Sequence, residues 1–304
     1  MKMEISMAKT TETPLYYVPE QSKLPVLTAL ALFCMLIGGG NFITANSHQT
    51  DSTFAFWWMF SGFAMMAVIF YAWFGQVIRE NDSGLYSDQL NRSFVMGMSW
   101  FIFSEVMFFA AFFGALFYVR TLVMPWLAGE GDKGVSHMLW PDFQAVWPMI
   151  NMPSATGFSV PSQVVDPWHL PLINTILLVS SSVTLTWAHH ALKAEQRSKL
   201  NFWLFVTVAL GVSFLVLQAY EYYEAYHHYG LTLNSGIYGT TFFMLTGFHG
   251  AHVTIGTLML IVMLLRALKG HFKPNDHFGF EAAAWYWHFV DVVWVGLFIF
   301  VYLW

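Results

Sequence analysis

Seven apolar stretches, each close to or above the roughly 20 residues a helix needs to cross a hydrocarbon layer about 30 Å thick, govern what this chain can fold into. They fall at 24–43, 54–74, 94–118, 170–188, 200–222, 237–265 and 282–304. The runs are continuous, whereas membrane barrel strands alternate over about ten residues, so the spans are helical. Charged residues make up 10% of the chain and hydrophobic ones 57%, against roughly 25% charged in a soluble domain. The expected fold is an all-α integral membrane protein of seven transmembrane helices.

Sorting Lys and Arg over alternate connections tests orientation, because cytoplasmic segments carry the basic excess. One side collects eleven: Lys2, Lys9, Lys23, Arg79, Arg92, Lys193, Arg197, Lys199, Arg266, Lys269 and Lys273. The other has two, Arg120 and Lys133. Residues 1–23, polar and carrying Lys2, Lys9, Pro14 and Pro19, therefore read as a cytoplasmic tail and not as a cleaved signal. Seven spans put Trp304 on the far side, where Tyr302 and Trp304 suit an interfacial anchor. The long connection 119–169 lies on that outer side and holds Pro125, Pro141, Pro148, Pro153, Pro161 and Pro167 with Trp126, Trp140 and Trp147. Such a segment is expected as an irregular cap on the bundle or on a partner, not as a linker.

Several function classes drop out. Cys34 is the single cysteine, so no internal disulfide or multi-thiolate metal site can form, and Cys34 reads as a small apolar filler. A formal charge of -5 with dispersed basic residues argues against nucleic acid as a partner. No internal repeat is visible, which weakens an inverted-repeat transporter.

Ionisable side chains within a bilayer are costly and so mark functional candidates. Glu105 is the sharpest. It lies about 16 Å beyond Phe94 along the helix, among Phe101, Phe103, Phe108 and Phe109. A lone carboxyl there has to be neutral or hydrogen-bonded; the plainer alternative is a helix-packing residue bonded internally. Asp291 and His288, three apart on one helical face, read first as a satisfied polar contact between helices. Gln218, Glu221 and Glu224 fall at helical spacing near the outer end of the fifth span and read as a solvated face.

The twelve histidines raise the question of a metal, since imidazole is a common ligand. His189 and His190 close the inner end of the fourth span, while His227 and His228 close the outer end of the fifth. A bilayer thickness separates those pairs. His249 and His252 alone fall short of the usual three or four ligands, so no metal site is expected. Gly247, Gly250 and Ala251 are small enough to allow close helix approach, which would bring His249 or His252 toward Glu105. At the inner helix ends Arg79 with Glu80, beside Trp73 and Phe74, and Arg266, Lys269 and His271 suit phospholipid head groups, or serve as plain interfacial anchors.

At these positions the sequence resembles a family. VIRE at 77–80, SEVMFF at 104–109, TWAHH at 186–190, QAYEYYEA at 218–225, TGFHGAHVTIG at 246–256 and HFGFEAAAWYWHFVDVVW at 277–294 are similar to subunit III of cytochrome c oxidase. The resemblance implies a seven-helix subunit in which a two-helix N-terminal unit, 24–75, splays from a five-helix bundle, 94–304. It implies an accessory role beside subunit I, the main contact, and subunit II of a haem-copper oxidase that reduces oxygen to water and translocates protons. Haem and copper would sit in those partners, with none bound by this chain. Structural phospholipids would fill the cleft, contacted at Trp73, Arg79, Glu80, Arg266, Lys269 and His271, and the cleft would guide oxygen and sustain proton uptake. Glu105 matches the family's functional intramembrane carboxyl, which carbodiimides modify, with His249, His252, His288 and Asp291 as possible polar partners.

The resemblance thins through residues 124–165, where the outer loop looks longer than in compact mitochondrial members and points to a bacterial source. The chain is then expected in a bacterial inner membrane with a cytoplasmic N-terminus and a periplasmic C-terminus. Subunit III of a quinol oxidase is the nearest alternative, disfavoured by the two N-terminal spans. A membrane transporter would have only Glu105 and Asp291 as deep relay sites, and a di-metal hydroxylase would need its histidines on one membrane side.

Overall fold

The computed structural model describes Tyr17 and residues 21–131, 134–154, 157–274 and 276–304. Lys2, Lys9, Pro14, Pro19 and Lys133, and with them most of the tail 1–23, lie outside the described residues. Among the described residues there is no named strand, and seven helices are long and apolar enough to cross a membrane.

The helices are α1 (Leu24–Ser47), α2 (Thr53–Asp82), α3 (Asp88–Tyr118), the short α4 (Met124–Leu127) and α5 (Gly134–Leu139), then α6 (Leu170–Lys193), α7 (Arg197–His227), α8 (Gly236–Leu268) and α9 (Phe278–Leu297). A π-helical turn, Val119–Val123, joins α3 to α4, and another, Phe298–Leu303, extends α9. Most spans outrun their apolar windows. α2 continues to Asp82 and α3 starts at Asp88, because polar residues at a bilayer surface keep helical hydrogen bonds once the hydrocarbon requirement ends.

The chain divides between Phe94 and Val95 into two compact units. In the first, α1 and α2 pack through glycines. A Cβ on Gly38 would lie 2.4 Å from the Met59 nitrogen, and one on Gly62 would lie 2.7 Å from the Met35 nitrogen. Such backbone-to-backbone contact is how helices associate where lipid removes the hydrophobic drive. Ala31, Met66 and Ile69 form the small core beneath.

In the second unit α6, α7, α8 and α9 form a ring: α6 packs on α7 and α9, and α8 packs on the same two. Its centre is aromatic, with Trp287, Trp294, Phe214 and Phe242 fully buried. Polar side chains cross each seam, as hydroxyl and indole groups must where no water competes. Thr184 meets Thr207 at 2.8 Å, Tyr222 meets Thr246 at 2.7 Å, and the Trp287 indole donates to Ser181 at 2.9 Å. The 95–118 part of α3 is held largely by its rings, Phe101 on Tyr286 and Phe113 on Phe300.

The 119–169 connection packs on this second unit. Val119, Met124, Phe143 and Met149 form a core with Trp140, Trp147 and Ile237 around it. Arg120 places its guanidinium 3.9 Å from the Trp304 ring and 5.1 Å from that of Trp147, a cation–π clamp between the loop and the end of α9.

Candidate functional site

The α8 histidines divide by one helical step. His252 turns toward α3, where its Nε2 lies 2.8 Å from Glu105 Oε2. Its Nδ1 lies 2.6 Å from the Phe248 carbonyl, and since a carbonyl only accepts, Nδ1 carries the hydrogen there. Nε2 is then left to accept from a protonated Glu105, or to donate to the carboxylate as an imidazolium. Either way one proton occupies the contact.

Aromatic rings enclose this pair. Phe109 and Phe108 lie 5.0 and 5.9 Å from the His252 ring, and Tyr286 stacks over it at 6.4 Å. The Glu105 and His252 side chains keep 21% and 14% of their surface, so the site is enclosed but open on one edge. Of the two partners expected for Glu105, the structure brings His252 to it.

His249 faces the ring centre. It is buried, its Nε2 donates to the Val290 carbonyl of α9 at 3.1 Å, and its Nδ1 has no partner. His249 is thus a pin between α8 and α9. Neither Gly247 nor Gly250 makes the close approach to α3 expected of them: a Cβ on Gly250 would meet nothing within 4 Å, and one on Gly247 only the Tyr222 hydroxyl at 3.4 Å. The close glycine contact of α8 is with α9, at Gly256, where a Cβ would come 2.9 Å from Trp287.

His288 and Asp291 converge on Ser182 of α6. The His288 Nδ1 lies 2.5 Å from the serine hydroxyl, the same hydroxyl that bonds the Asp291 carboxyl. One Asp291 oxygen, Oδ1, is buried without a partner.

Glu221 corrects the sequence reading. Its side chain is not on a solvated face: the residue is 1% exposed, accepts from the Tyr302 hydroxyl at 2.7 Å and from Gln218 at 3.3 Å, and Gln218 in turn accepts from Asn174. The π-helical turn at Phe298–Leu303 carries Tyr302 inward to it. Helical spacing alone could not reveal this, because the spacing marks a face without saying what covers it.

A family model described as cytochrome c oxidase subunit III matches residues 15–130 and 137–304. The chain belongs to the cytochrome c oxidase subunit III family. It is 38% identical to a probable cytochrome c oxidase subunit 3 of Rickettsia bellii, over 97% of each chain. It is 39% identical to cytochrome c oxidase subunit 3 of Neotragus moschatus and of Dugong dugon, over 97% of this chain and 99% of theirs. The family match breaks only between 130 and 137, a narrower gap than the 124–165 stretch where the motifs thin.

The residues matched to lipid contacts fall in both units. In the first, Arg79 is exposed and Trp73 is 40% exposed on α2, while Glu80 accepts from Gln76 at 2.8 Å and lies 3.1 Å from the Tyr86 hydroxyl. In the second, Lys269 is exposed beyond α8, His271 is half-buried, and Arg266 sits 4.7 Å over the Phe272 ring.

Proposed function

We propose that this chain is the accessory subunit III of a bacterial cytochrome c oxidase, docked on subunit I and touching subunit II. It supports oxygen reduction to water and proton translocation by those partners, which hold the haem and copper. The reading rests on the family membership and is carried by one observation, the Glu105–His252 contact. A carboxyl and an imidazole sharing a proton in a ring-lined niche can hold or release that proton with little rearrangement, which suits a subunit that sustains proton uptake without doing redox chemistry.

In the first unit exposed Arg79 and Trp73, and in the second exposed Lys269 with half-buried Arg266 and His271, each have the chemistry of a phospholipid contact, cationic groups for phosphate and, on α2, an indole for the head-group layer. Lipid retained there would guide oxygen toward the catalytic subunit. The eleven-to-two division of basic residues supports a cytoplasmic N-terminus and a periplasmic C-terminus in the inner membrane.

The test is Glu105→Gln in the assembled oxidase, with oxygen consumption followed over many turnovers. The expected result is assembly and a near-normal initial rate, followed by faster loss of activity. An initial rate and a working lifetime both equal to the parent's would remove Glu105 from the function.

A further inference from the structure

Away from Glu105, at the opposite end of α6 from the outer loop, His189 of α6 meets His277 and Glu281 at the start of α9. Among the described residues these form a group whose ligand atoms all lie within 4.8 Å of one another. His277 Nε2 is 3.2 Å and His189 Nε2 3.4 Å from the same oxygen, Glu281 Oε1. Two ligands at zinc bond lengths of about 2.0–2.1 Å in a tetrahedron stand about 3.3 Å apart. The two measured edges match that spacing, and the imidazole-to-imidazole edge lies within 4.8 Å.

The directions of the groups point the same way. His277 Nδ1 donates to the Lys273 carbonyl at 3.1 Å, which leaves the Nε2 lone pair facing the carboxylate in the neutral ring. Fixing the far nitrogen on a carbonyl is how metal-binding histidines are oriented. Both Nε2 atoms are buried, and neither makes a hydrogen bond despite the short separation from Glu281, so their axes pass beside the oxygen instead of through it. Two imidazole nitrogens and a carboxylate oxygen converging on one point, with the Lys193 ammonium at its edge, describe a place for a cation. His277 and Glu281 stand four apart across the first turn of α9, the spacing that sets two ligands on one face.

We propose that His189, His277 and Glu281 bind a divalent zinc ion, with water in the fourth position. Two imidazoles and one carboxylate are the donor set zinc favours over magnesium or calcium, and three protein ligands leave one site open. The ion would tie the end of α6 to the start of α9 on the basic side of the protein. Lys193 is the competing charge: its Nζ lies 3.8 Å from Glu281 Oε1, on a side chain 53% exposed, free to swing into water when a metal enters. This inference goes beyond the accessory role and replaces the expectation that the chain binds no metal.

The test uses the complex purified with this chain in detergent, stripped by a chelator and equilibrated with zinc, with bound metal counted per copy of this chain. The parent is expected to hold one zinc more than a His277→Asn/Glu281→Gln variant, or to bind it at least tenfold more tightly. X-ray absorption should show two imidazole nitrogens and a carboxylate oxygen in the difference. Equal stoichiometry and affinity in both proteins would overturn the site. Lys193→Ala guards against a folding artefact: removing the rival cation should tighten binding several-fold, which no damaged fold can do, and unchanged or weaker binding counts against the assignment.

Discussion

His252 holds Glu105 by one nitrogen while its other is committed to the Phe248 carbonyl one turn back on its own helix, at 2.8 and 2.6 Å. The second bond matters as much as the first. It removes the ring's freedom to exchange tautomers, so the Glu105 contact has a fixed polarity requirement: whichever partner is charged, a hydrogen must lie between them.

Glu105→Ala should cost more stability than Glu105→Gln. Alanine leaves His252 Nε2 facing rings without a partner, at about 1–3 kcal/mol for a buried orphan. Glutamine restores a donor and should cost less than about 1 kcal/mol, in line with the roughly 0.6 kcal/mol average of interhelical hydrogen bonds in membranes. A double-mutant cycle with His252→Asn, read by thermal unfolding of the purified complex, should give a coupling energy of about 0.5–1.7 kcal/mol. Additivity of the two substitutions would deny the contact.

The seven spans were legible because hydrocarbon thickness writes itself into the length of apolar runs. What pattern reading cannot supply is the rotation of each helix. His249 and His252 are equally placed in the sequence, yet only the rotation of α8 decides that His252 meets Glu105 and His249 meets Val290. The same limit hid Glu221, whose covering group, Tyr302, sits 81 residues away on a π-helical turn. It hid the His189–His277–Glu281 group as well: His277 lies just before α9, outside any apolar run, and nothing in the spacing shows that the start of α9 meets the end of α6.

Tyr86 offers a pH-dependent reading outside the spans. Partial burial, and then its hydrogen bond to the Glu80 carboxyl, push its phenol well above the ordinary value of 10.0. The unfolded chain releases this proton near 10 while the folded chain keeps it, so the contribution to stability is complete below pH 10 and drains away as pH rises toward the folded value. Tyr86→Phe should unfold more easily at neutral pH, by about 0.5–1.5 kcal/mol for the lost hydrogen bond. It should also show a shallower loss of stability on going alkaline. Phenolate absorbance of the folded parent should contain one late-titrating tyrosine that the variant lacks.

Trp287 is fully buried between Gly211 of α7 and Gly256 of α8, which makes α9's depth in the ring a matter of two missing methyl groups. A Cβ on Gly211 would stand 2.7 Å from the Trp287 ring, and one on Gly256 2.9 Å. Neither distance is tolerable for carbon, and the indole cannot rotate away without breaking its 2.9 Å bond to Ser181. Each alanine substitution should therefore cost about 1–3 kcal/mol by overpacking, despite the better helix propensity of alanine. The control is Gly250→Ala on the same helix as Gly256: nothing lies within 4 Å of its Cβ position, and the change should leave unfolding within about 0.5 kcal/mol of the parent or stabilise it slightly. Because displaced Trp287 would drag α9, and with it Val290, His288 and Asp291, the two harmful variants should also loosen α9 itself, detectable as faster hydrogen exchange of its backbone amides. Equal stability for all three variants would mean that the indole does not set the spacing of α7, α8 and α9.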